Sequence, residues 1–223
     1  MALVSGGILL GETVLPPQRQ ASEVVLSAIG GLLGGERGSA VPTHVAVSAG
    51  PGSFTGLRVG MATAKGLCLG WNLPIVPVPT LFALASRYRT RETLVCPVLD
   101  ARKKEVYAGV FRGEGGRCLR VAPDVAVSPE ALPDWFPEDE VFFCGDGVPV
   151  YGGMLRVRMG ARALFPGPDD GFPRASAVGF LAETMIRSEE TEEMRKVVPA
   201  YLRLSEAELR RRNGDRNVPK IDN

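Results

Sequence analysis

A glycine-rich turn leads into a helical stretch at Gly50–Gly70 (GPGSFTGLRVGMATAKGLCLG), and free amides at such a turn can hold a phosphate. A Walker loop would need glycine, four residues and then Gly-Lys-Ser/Thr, and a dinucleotide fingerprint would need glycine in place of Thr55. Neither spacing is met. We therefore predict a structural turn, in which Gly50 and Gly52 bend the chain and Ser53 or Thr55 caps the helix. An anion at the helix N-terminus stays the alternative.

Side chains for metal or nucleophilic chemistry are sparse. The sole histidine, His44, stands just before an apolar run, so this chain cannot supply a paired-histidine metal site. A hydrolase pair of His44 with Ser48 or Ser53 lacks a Gly-x-Ser-x-Gly turn and a carboxylate nearby in sequence. Charged residues of the second half are interpreted as turn formers and solvated charges: Asp100, Arg102, Glu105 and Asp146. We assign no catalytic, cofactor-binding or metal-binding residue.

Composition narrows the class of protein. The 26 basic and 25 acidic side chains nearly cancel, so we do not expect this chain alone to bind a nucleic-acid backbone tightly. The four cysteines form no Cys-x-x-Cys pair, which is typical of buried thiols in a reducing compartment. The apolar N-terminus lacks a basic region and a cleavage site, and no stretch approaches the ~20 apolar residues of a membrane span. We expect a cytoplasmic protein.

The pattern of apolar residues predicts an α/β first half. Turn signals at Gly6 and Gly7 predict a hairpin. Further elements are predicted as follows: a helix at Ala21–Leu33, a strand in HVAVSAG, a helix at Thr55–Gly70, a strand at Ile75–Val78 parallel to the previous strand, and a helix around Leu81–Tyr88. The charged stretch RYRTRE then marks our boundary between a first domain, residues 1–91, and a second domain, residues 92–223.

The second half opens with a strand, a polar turn and a strand (LVCPVLDARKKEVYAGVF). In the second strand, side chains alternate between the two faces of the sheet. We expect Val106, Ala108 and Val110 on one face and Tyr107, Gly109 and Phe111 on the other. A loop-rich middle with many prolines and glycines follows, and it contains VFFCGDG as the end of a strand. We then predict a helix in PRASAVGFLAETMIR, an extended piece at AYLRL and a last helix capped by Ser205, which can pack back on the first domain.

The helix at Thr55–Gly70 is apolar nearly all round. Arg58 and Lys65 are its only charged residues, and their spacing of seven confines them to one narrow stripe. Small residues at a spacing of four would let another backbone approach closely: Gly56, Gly60, Ala64 and Cys68. This helix is therefore expected to be covered on more than one side. Burial within its own chain and a subunit interface, with the Ala21–Leu33 helix as a second wall, both stay open at this point.

Five stretches in order along the chain resemble one family: GPGSFTGLRVGMATAKGL, LPIVPVPTLFALA, VLDARKKEVYAGVF, PRASAVG and PAYLR. The family is TsaB (YeaZ), bacterial tRNA threonylcarbamoyladenosine biosynthesis proteins. The resemblance implies a two-domain actin-like (ASKHA, ribonuclease H-like) α/β fold. It also implies a non-catalytic subunit that binds and activates TsaD, the enzyme that threonylcarbamoylates adenosine beside the anticodon. The ATPase TsaE would join them, and tRNA would be reached only through the complex.

In this family the first two helices of each partner form the pairing surface. Carried over to this chain, the interface residues are Val24, Val25, Ala28, Gly56, Leu57, Gly60, Met61, Ala64 and Leu67. The chain alone is expected to bind no cofactor, and ATP or ADP would lie at the interface of the complex. A homodimer through the same helices is an alternative to the TsaD heterodimer. An actin-fold enzyme acting on its own, glycopeptidase-like or a phosphotransferase, is the rival function.

One departure from the family concerns the first strand. Members usually begin with a strand of the form ILAIDTS ahead of the hairpin, and this sequence begins at the hairpin. A start assigned too late, a truncation and a divergent member are the three alternatives. In the actin-like fold that strand lies in the middle of the first sheet. The sequence therefore predicts a first sheet without its usual first strand, with backbone groups on both neighbours left unpaired.

Overall fold

A computed structural model describes residues 1–15, 21–34, 41–167, 170–188 and 196–202. In the first half it has β1 (Ala2–Ser5), β2 (Ile8–Glu12), α1 (Ala21–Leu33), β3 (Val45–Gly50), α2 (Phe54–Trp71), β4 (Ile75–Pro79) and α3 (Thr80–Ser86). The second half has β5 (Leu94–Arg102), β6 (Glu105–Glu114), β7 (Arg117–Val127), β8 (Val141–Cys144), α4 (Val148–Met159), β9 (Ala163–Leu164) and α5 (Ala175–Arg187). Short 3-10 helices lie at Pro129–Trp135 and Gly160–Arg162. The fold is α/β, as predicted.

The second half is built on one five-stranded sheet in the order β7-β6-β5-β8-β9. Strands β5, β6 and β7 are antiparallel neighbours, whereas β8 and β9 run parallel to β5 and to each other. The predicted alternation along β6 is confirmed, because Val106, Ala108 and Val110 join one buried cluster and Phe111 joins another. The first cluster is covered by α4 and the 3-10 helix at Pro129–Trp135, and the second by α3. Both faces of this sheet are therefore packed.

The middle of the second half is more regular than the sequence indicated. The stretch interpreted as loop-rich contains β7, a 3-10 helix and α4. Pro123 lies inside β7, and a proline is tolerated there because β7 is the edge strand of its sheet. In α4 the adjacent Gly152 and Gly153 lower the helix propensity, while Pro149 stands in the first turn, where its missing N–H costs nothing.

The first half contains two separate two-stranded sheets. The predicted hairpin is confirmed as β1 and β2, joined through Gly6 and Gly7 at φ of 57° and 79°. Strands β3 and β4 form the predicted parallel pair, with α2 between them in sequence. Among the described residues, neither pair shares a strand with the other. This arrangement agrees with a first sheet that lacks its middle strand.

Helix α5 and a segment near the C-terminus pack on the first half. Ser176 N donates to a Glu12 carboxylate oxygen at 2.8 Å, and Leu181 is buried in one cluster with Val76 and Val78 of β4. The segment at 197–202 returns to the same region, where Ala200 N donates to the Ala49 carbonyl at 2.7 Å. The first half thus draws part of its core from residues late in the chain. The predicted last helix at Ser205 lies outside the described residues.

Candidate docking surface

The glycine turn before α2 is held by contacts with other residues of this chain. Ser53 is the N-cap residue, and its side chain accepts a hydrogen bond from Gly56 N at 3.3 Å. Gly50 has φ of +114°, and a Cβ there would lie 2.5 Å from the Ala200 carbonyl oxygen. Thr55 lies exposed in the first turn of α2. The turn therefore sets the direction of α2, and the 197–202 segment packs against it.

One stripe of α2 faces the interior of this chain. Leu57, Met61 and Ala64 are buried, and Gly60 lies nearest to Val47 of β3, at 3.9 Å from an ideal Cβ. Met61 and Ala64 share a cluster with residues of β3 and β4. Leu57, Met61 and Ala64 thus pack within this chain, and their assignment to a partner interface stays a prediction. The inward face of α2 therefore consists of Leu57, Met61, Ala64 and Cys68, and only the second half of the predicted small-residue ridge belongs to it.

The opposite side of α2 carries apolar and small residues in solvent. Leu69 is 75% exposed, and Ala62 and Gly66 are exposed as well. Helix α1 contacts α2 and adds Leu26, which is 61% exposed. The other predicted interface residues divide into exposed Gly56 and half-buried Val24, Val25, Ala28, Gly60 and Leu67. We call the surface formed by the outward sides of α1 and α2 the docking face. On α2, it lies about half a turn around the helix axis from the predicted stripe.

An aromatic cluster fixes the N-terminal end of the docking face. The Arg58 guanidinium lies 4.0 Å above the centre of the Phe54 ring, and Arg58 Nε donates to Tyr201 Oη at 3.1 Å. The Phe54 and Tyr201 rings are 5.1 Å apart. This cation–π contact orders exposed side chains that would otherwise move freely. No local sequence pattern indicates the Arg58–Tyr201 contact, because the two residues are 143 positions apart.

Potential catalytic side chains have structural partners. His44 Nδ1 lies 3.1 Å from Thr43 Oγ1, Ser48 Oγ lies 2.5 Å from Thr80 Oγ1, and Ser53 caps α2. The structure does not bring His44 and these serines together as a hydrogen-bonded pair. Over the part of the chain that the structure describes, no group of three His, Cys, Asp or Glu could hold a metal ion. Nor is any described helix long and apolar enough to cross a membrane.

A second polar group lies where β5 meets the loop after β8. Asp146 Oδ1 accepts a hydrogen bond from Asp100 N at 2.9 Å, and Arg102 forms an ion pair with Asp100 at 3.3 Å. Burial of the Asp146 carboxyl raises its pKa above the usual value, and the nearby Asp100 charge acts in the same direction, against the hydrogen bond from Asp100 N. These contacts close the turns around β5 and β6, in line with the interpretation of both aspartates as turn formers.

The thiols are protonated at neutral pH. Cys68, Cys96 and Cys144 are buried and free, and burial raises the pKa of each. Cys118 is partly buried, and burial raises its pKa to about 11. Because the thiolate is the nucleophile, these four side chains behave as small apolar residues.

Known proteins share this architecture. The family model described as TsaD, tRNA N6-adenosine threonylcarbamoyltransferase, matches residues 39–210. The tRNA threonylcarbamoyladenosine biosynthesis protein TsaB of Bacillus subtilis is 32% identical over 173 residues, 75% of this chain and 72% of that protein. TsaB of Haemophilus influenzae is 31% identical over 170 residues, 71% of this chain and 69% of that protein.

Solved structures give the same result for the fold. A Pseudomonas aeruginosa protein described as similar to peptidase YeaZ superposes with a TM-score of 0.74 at 28% identity, over 91% of this chain and 93% of that chain. YeaZ from the same organism gives 0.73 at 27% identity, over 90% and 92%. The actin-like fold expected from the sequence is confirmed. The chain belongs to the TsaB (YeaZ) family of proteins of tRNA threonylcarbamoyladenosine biosynthesis.

Proposed function

We propose that this chain is the non-catalytic subunit that binds TsaD and activates it for threonylcarbamoylation of the adenosine beside the tRNA anticodon. The observation that carries the proposal is the docking face. Leu26 and Leu69 expose large apolar side chains there, next to the small residues Ala62 and Gly66. Large apolar side chains exposed on one face mark protein–protein contact sites, and small residues let a partner helix approach closely.

The non-catalytic part of the proposal rests on the side chains available. His44, Ser48 and Ser53 are engaged in local hydrogen bonds, and the thiols are protonated at neutral pH. In this proposal the chain acts through its partner: TsaE joins the assembly, and tRNA is contacted only within the complex. ATP or ADP, when bound, lies at the interface of the subunits and not on this chain alone.

Two other roles compete with this proposal. A homodimer would use the docking face and compete with TsaD for it, because closed dimers bury the same patch of both copies. An enzyme acting alone is the second rival, and it is favoured by the description of one solved relative as similar to a peptidase. Peptidase or nucleotide-dependent activity of the isolated chain would support that rival.

Complex formation tests the proposal. We expect light scattering on a sizing column to show a one-to-one complex when the chain is mixed with TsaD from the same organism. Leu69→Asp should abolish this complex, because it places a charge where the proposal requires an apolar contact. Gly60 is a poor site for such a change, since its nearest neighbour is Val47 of the chain's own β3.

The matched control is Val157→Asp on α4, because Val157 is also highly exposed but lies in the other half of the molecule. It should leave the complex intact. A complex that survives Leu69→Asp would move the interface elsewhere, and absence of any complex with TsaD would remove the support for an activating subunit.

A further inference from the structure

Two positive charges lie on the part of the docking face that α2 contributes. Spacings of four, three and four residues place four side chains on one side of this helix, which we call the basic stripe: Arg58, Ala62, Lys65 and Leu69. Arg58 is exposed and Lys65 is half-buried. Over the part of the chain that the structure describes, neither forms an ion pair. Both charges are therefore available to a molecule that covers the stripe.

The elements around the basic stripe carry almost no acidic residues. From Val41 to Arg91 the sequence contains neither Asp nor Glu, so α2 and the strands β3 and β4 have none. The 197–202 segment, which packs at the N-terminal end of α2, has none either. Glu23 is the single acidic residue in the sequence of α1. Helix α2 therefore has a net charge of +2, carried by Arg58 and Lys65.

Contacts within the chain hold the Arg58 guanidinium in one position. It lies 4.0 Å above the centre of the Phe54 ring, and its Nε donates to Tyr201 Oη at 3.1 Å. No described residue accepts a hydrogen bond from the two terminal nitrogens of the guanidinium. These nitrogens can bind both oxygens of a carboxylate at once. Because the side chain is already ordered, such a contact costs less conformational entropy than one to a free arginine.

The spacing and the neighbours of the two charges indicate the chemistry of a partner. Seven residues of helix rise by about 10 Å, so Arg58 and Lys65 fit two carboxylates about that far apart. Ala62 is exposed between them, and the exposed Leu69 continues the basic stripe. A protein helix with acidic residues seven positions apart offers both carboxylates and apolar surface. A nucleic-acid backbone fits less well, because its binding depends on many cationic contacts and gains nothing from Leu69.

We propose that the docking face binds an acidic, partly apolar helix of a different protein, and that Arg58 and Lys65 select this partner against a second copy of the chain. The inference rests on the proposed function and assigns to TsaD two carboxylates opposite α2. A second copy would bring the same two positive charges to the contact. Like charges placed together in an interface oppose binding, whereas the apolar residues alone favour either partner.

A charge-reversed copy of this chain supplies an acidic partner and tests the inference without TsaD. The variant combines Arg58→Glu with Lys65→Glu. Analytical ultracentrifugation at low salt compares the wild type alone, the variant alone and a mixture in which the wild type is fluorescently labelled. We expect the mixture to associate at least about tenfold more tightly than either protein alone, because only the mixture brings opposite charges together. Salt at about 0.5 M should reduce this difference by screening.

Two further variants separate the charge from other effects. Arg112→Glu with Arg117→Glu makes the same change of net charge on the hairpin of β6 and β7, where both side chains are exposed. This control should associate with the wild type no more tightly than the wild type does with itself. Lys65→Glu alone leaves the contact between Arg58 and Tyr201 in place and should keep part of the gain. A mixture no tighter than either protein alone would overturn the inference.

Binding to TsaD is the second measurement. Arg58→Glu with Lys65→Glu should weaken the complex at least about tenfold, and the hairpin control should bind like the wild type. A complex that tolerates the charge reversal would overturn the inference and leave the proposed function standing. Absence of any complex would count against the proposed function, and the mixing experiment would still decide the inference.

Discussion

The two halves of this protein build their sheets differently. In the second half, a single five-stranded sheet is packed on both faces, by α3 on one and by α4 with a 3-10 helix on the other. In the first half, the described residues form two separate strand pairs around a cavity of about 1590 Å³. The first half also relies on α5 and the 197–202 segment for part of its core.

This difference suggests that one half of the molecule provides stability and the other half provides surfaces for interaction. A sheet whose strands are paired and whose faces are covered is stabilised by contacts within its own chain. Unpaired strand edges and exposed apolar helix faces are stabilised only when a partner binds to them. We therefore interpret the second half as the stable part of the fold and the first half as the part that carries the docking face. Four changes test that contrast, and we give them from the largest expected effect to the smallest.

The largest loss is expected from Phe143→Ala in β8. Phe143 is fully buried and stacks near Phe136 and Phe165, with ring centres 6.1 Å away in each case. Removing a buried phenylalanine costs about 3–5 kcal/mol through lost burial and the cavity left behind. Chemical denaturation should show this drop in the free energy of unfolding. Val157→Ala, at a residue 85% exposed, should change it by less than about 0.5 kcal/mol.

A slightly smaller loss is expected from Leu181→Ala in α5. Leu181 packs with Val76 and Val78 and retains a little exposure, so the cost should fall toward the lower end of about 2–5 kcal/mol. Because α5 joins the two small sheets, hydrogen exchange should accelerate in β1 and β4 before it does so in β5 and β6. Uniform acceleration over both halves would show that the halves unfold as one unit and would remove the contrast.

Extending the chain by a strand ahead of Met1 should stabilise it. A strand of the form ILAIDTS, joined through a short turn, would pair with β1 and β3, and each added hydrogen bond contributes about 0.5–1.5 kcal/mol net. After the entropy of ordering the strand is subtracted, we expect a gain on the order of 2 kcal/mol. Calorimetry of the two forms measures it. Equal melting temperatures would contradict the account.

The smallest effect is expected at the helix cap. Ser53→Ala removes the side chain that accepts from Gly56 N, which should cost about 1 kcal/mol, while Ser53→Gly should cost a few tenths. Thr55→Ala is the matched control, because Thr55 stands in the first turn and is not the cap residue. Denaturation curves that rank Thr55→Ala as the more damaging change would show that the cap has been misplaced.

Local patterns predicted the elements well where the period was clear. The hairpin at Gly6 and Gly7, the helix at Ala21–Leu33 and the parallel pair β3 and β4 follow from turn residues and from runs of apolar residues. The separation of the described strands of the first half into two pairs was predicted only through the family resemblance, because no local pattern reports how two strand pairs are joined. The family also supplied the function, which no catalytic spacing could have indicated.

Long-range packing was beyond local patterns. A helix that is apolar all round does not reveal which side faces its own sheet, so the burial of Leu57, Met61 and Ala64 is visible only in the structure. The contact of Arg58 with Tyr201 and the return of Val197 to the first half join residues far apart in sequence. Helix α4 was missed because its paired glycines obscure the helical period.

The central claim is that the outward sides of α1 and α2 receive TsaD, and hydrogen exchange of the chain with and without that protein tests it most directly. The account predicts slower exchange at Ala21–Leu33 and Phe54–Trp71 on addition of TsaD, with the five-stranded sheet unchanged. The same protection should be absent in Leu69→Asp and present in Val157→Asp. Protection centred on β5 to β9, or none at saturating TsaD, would contradict it.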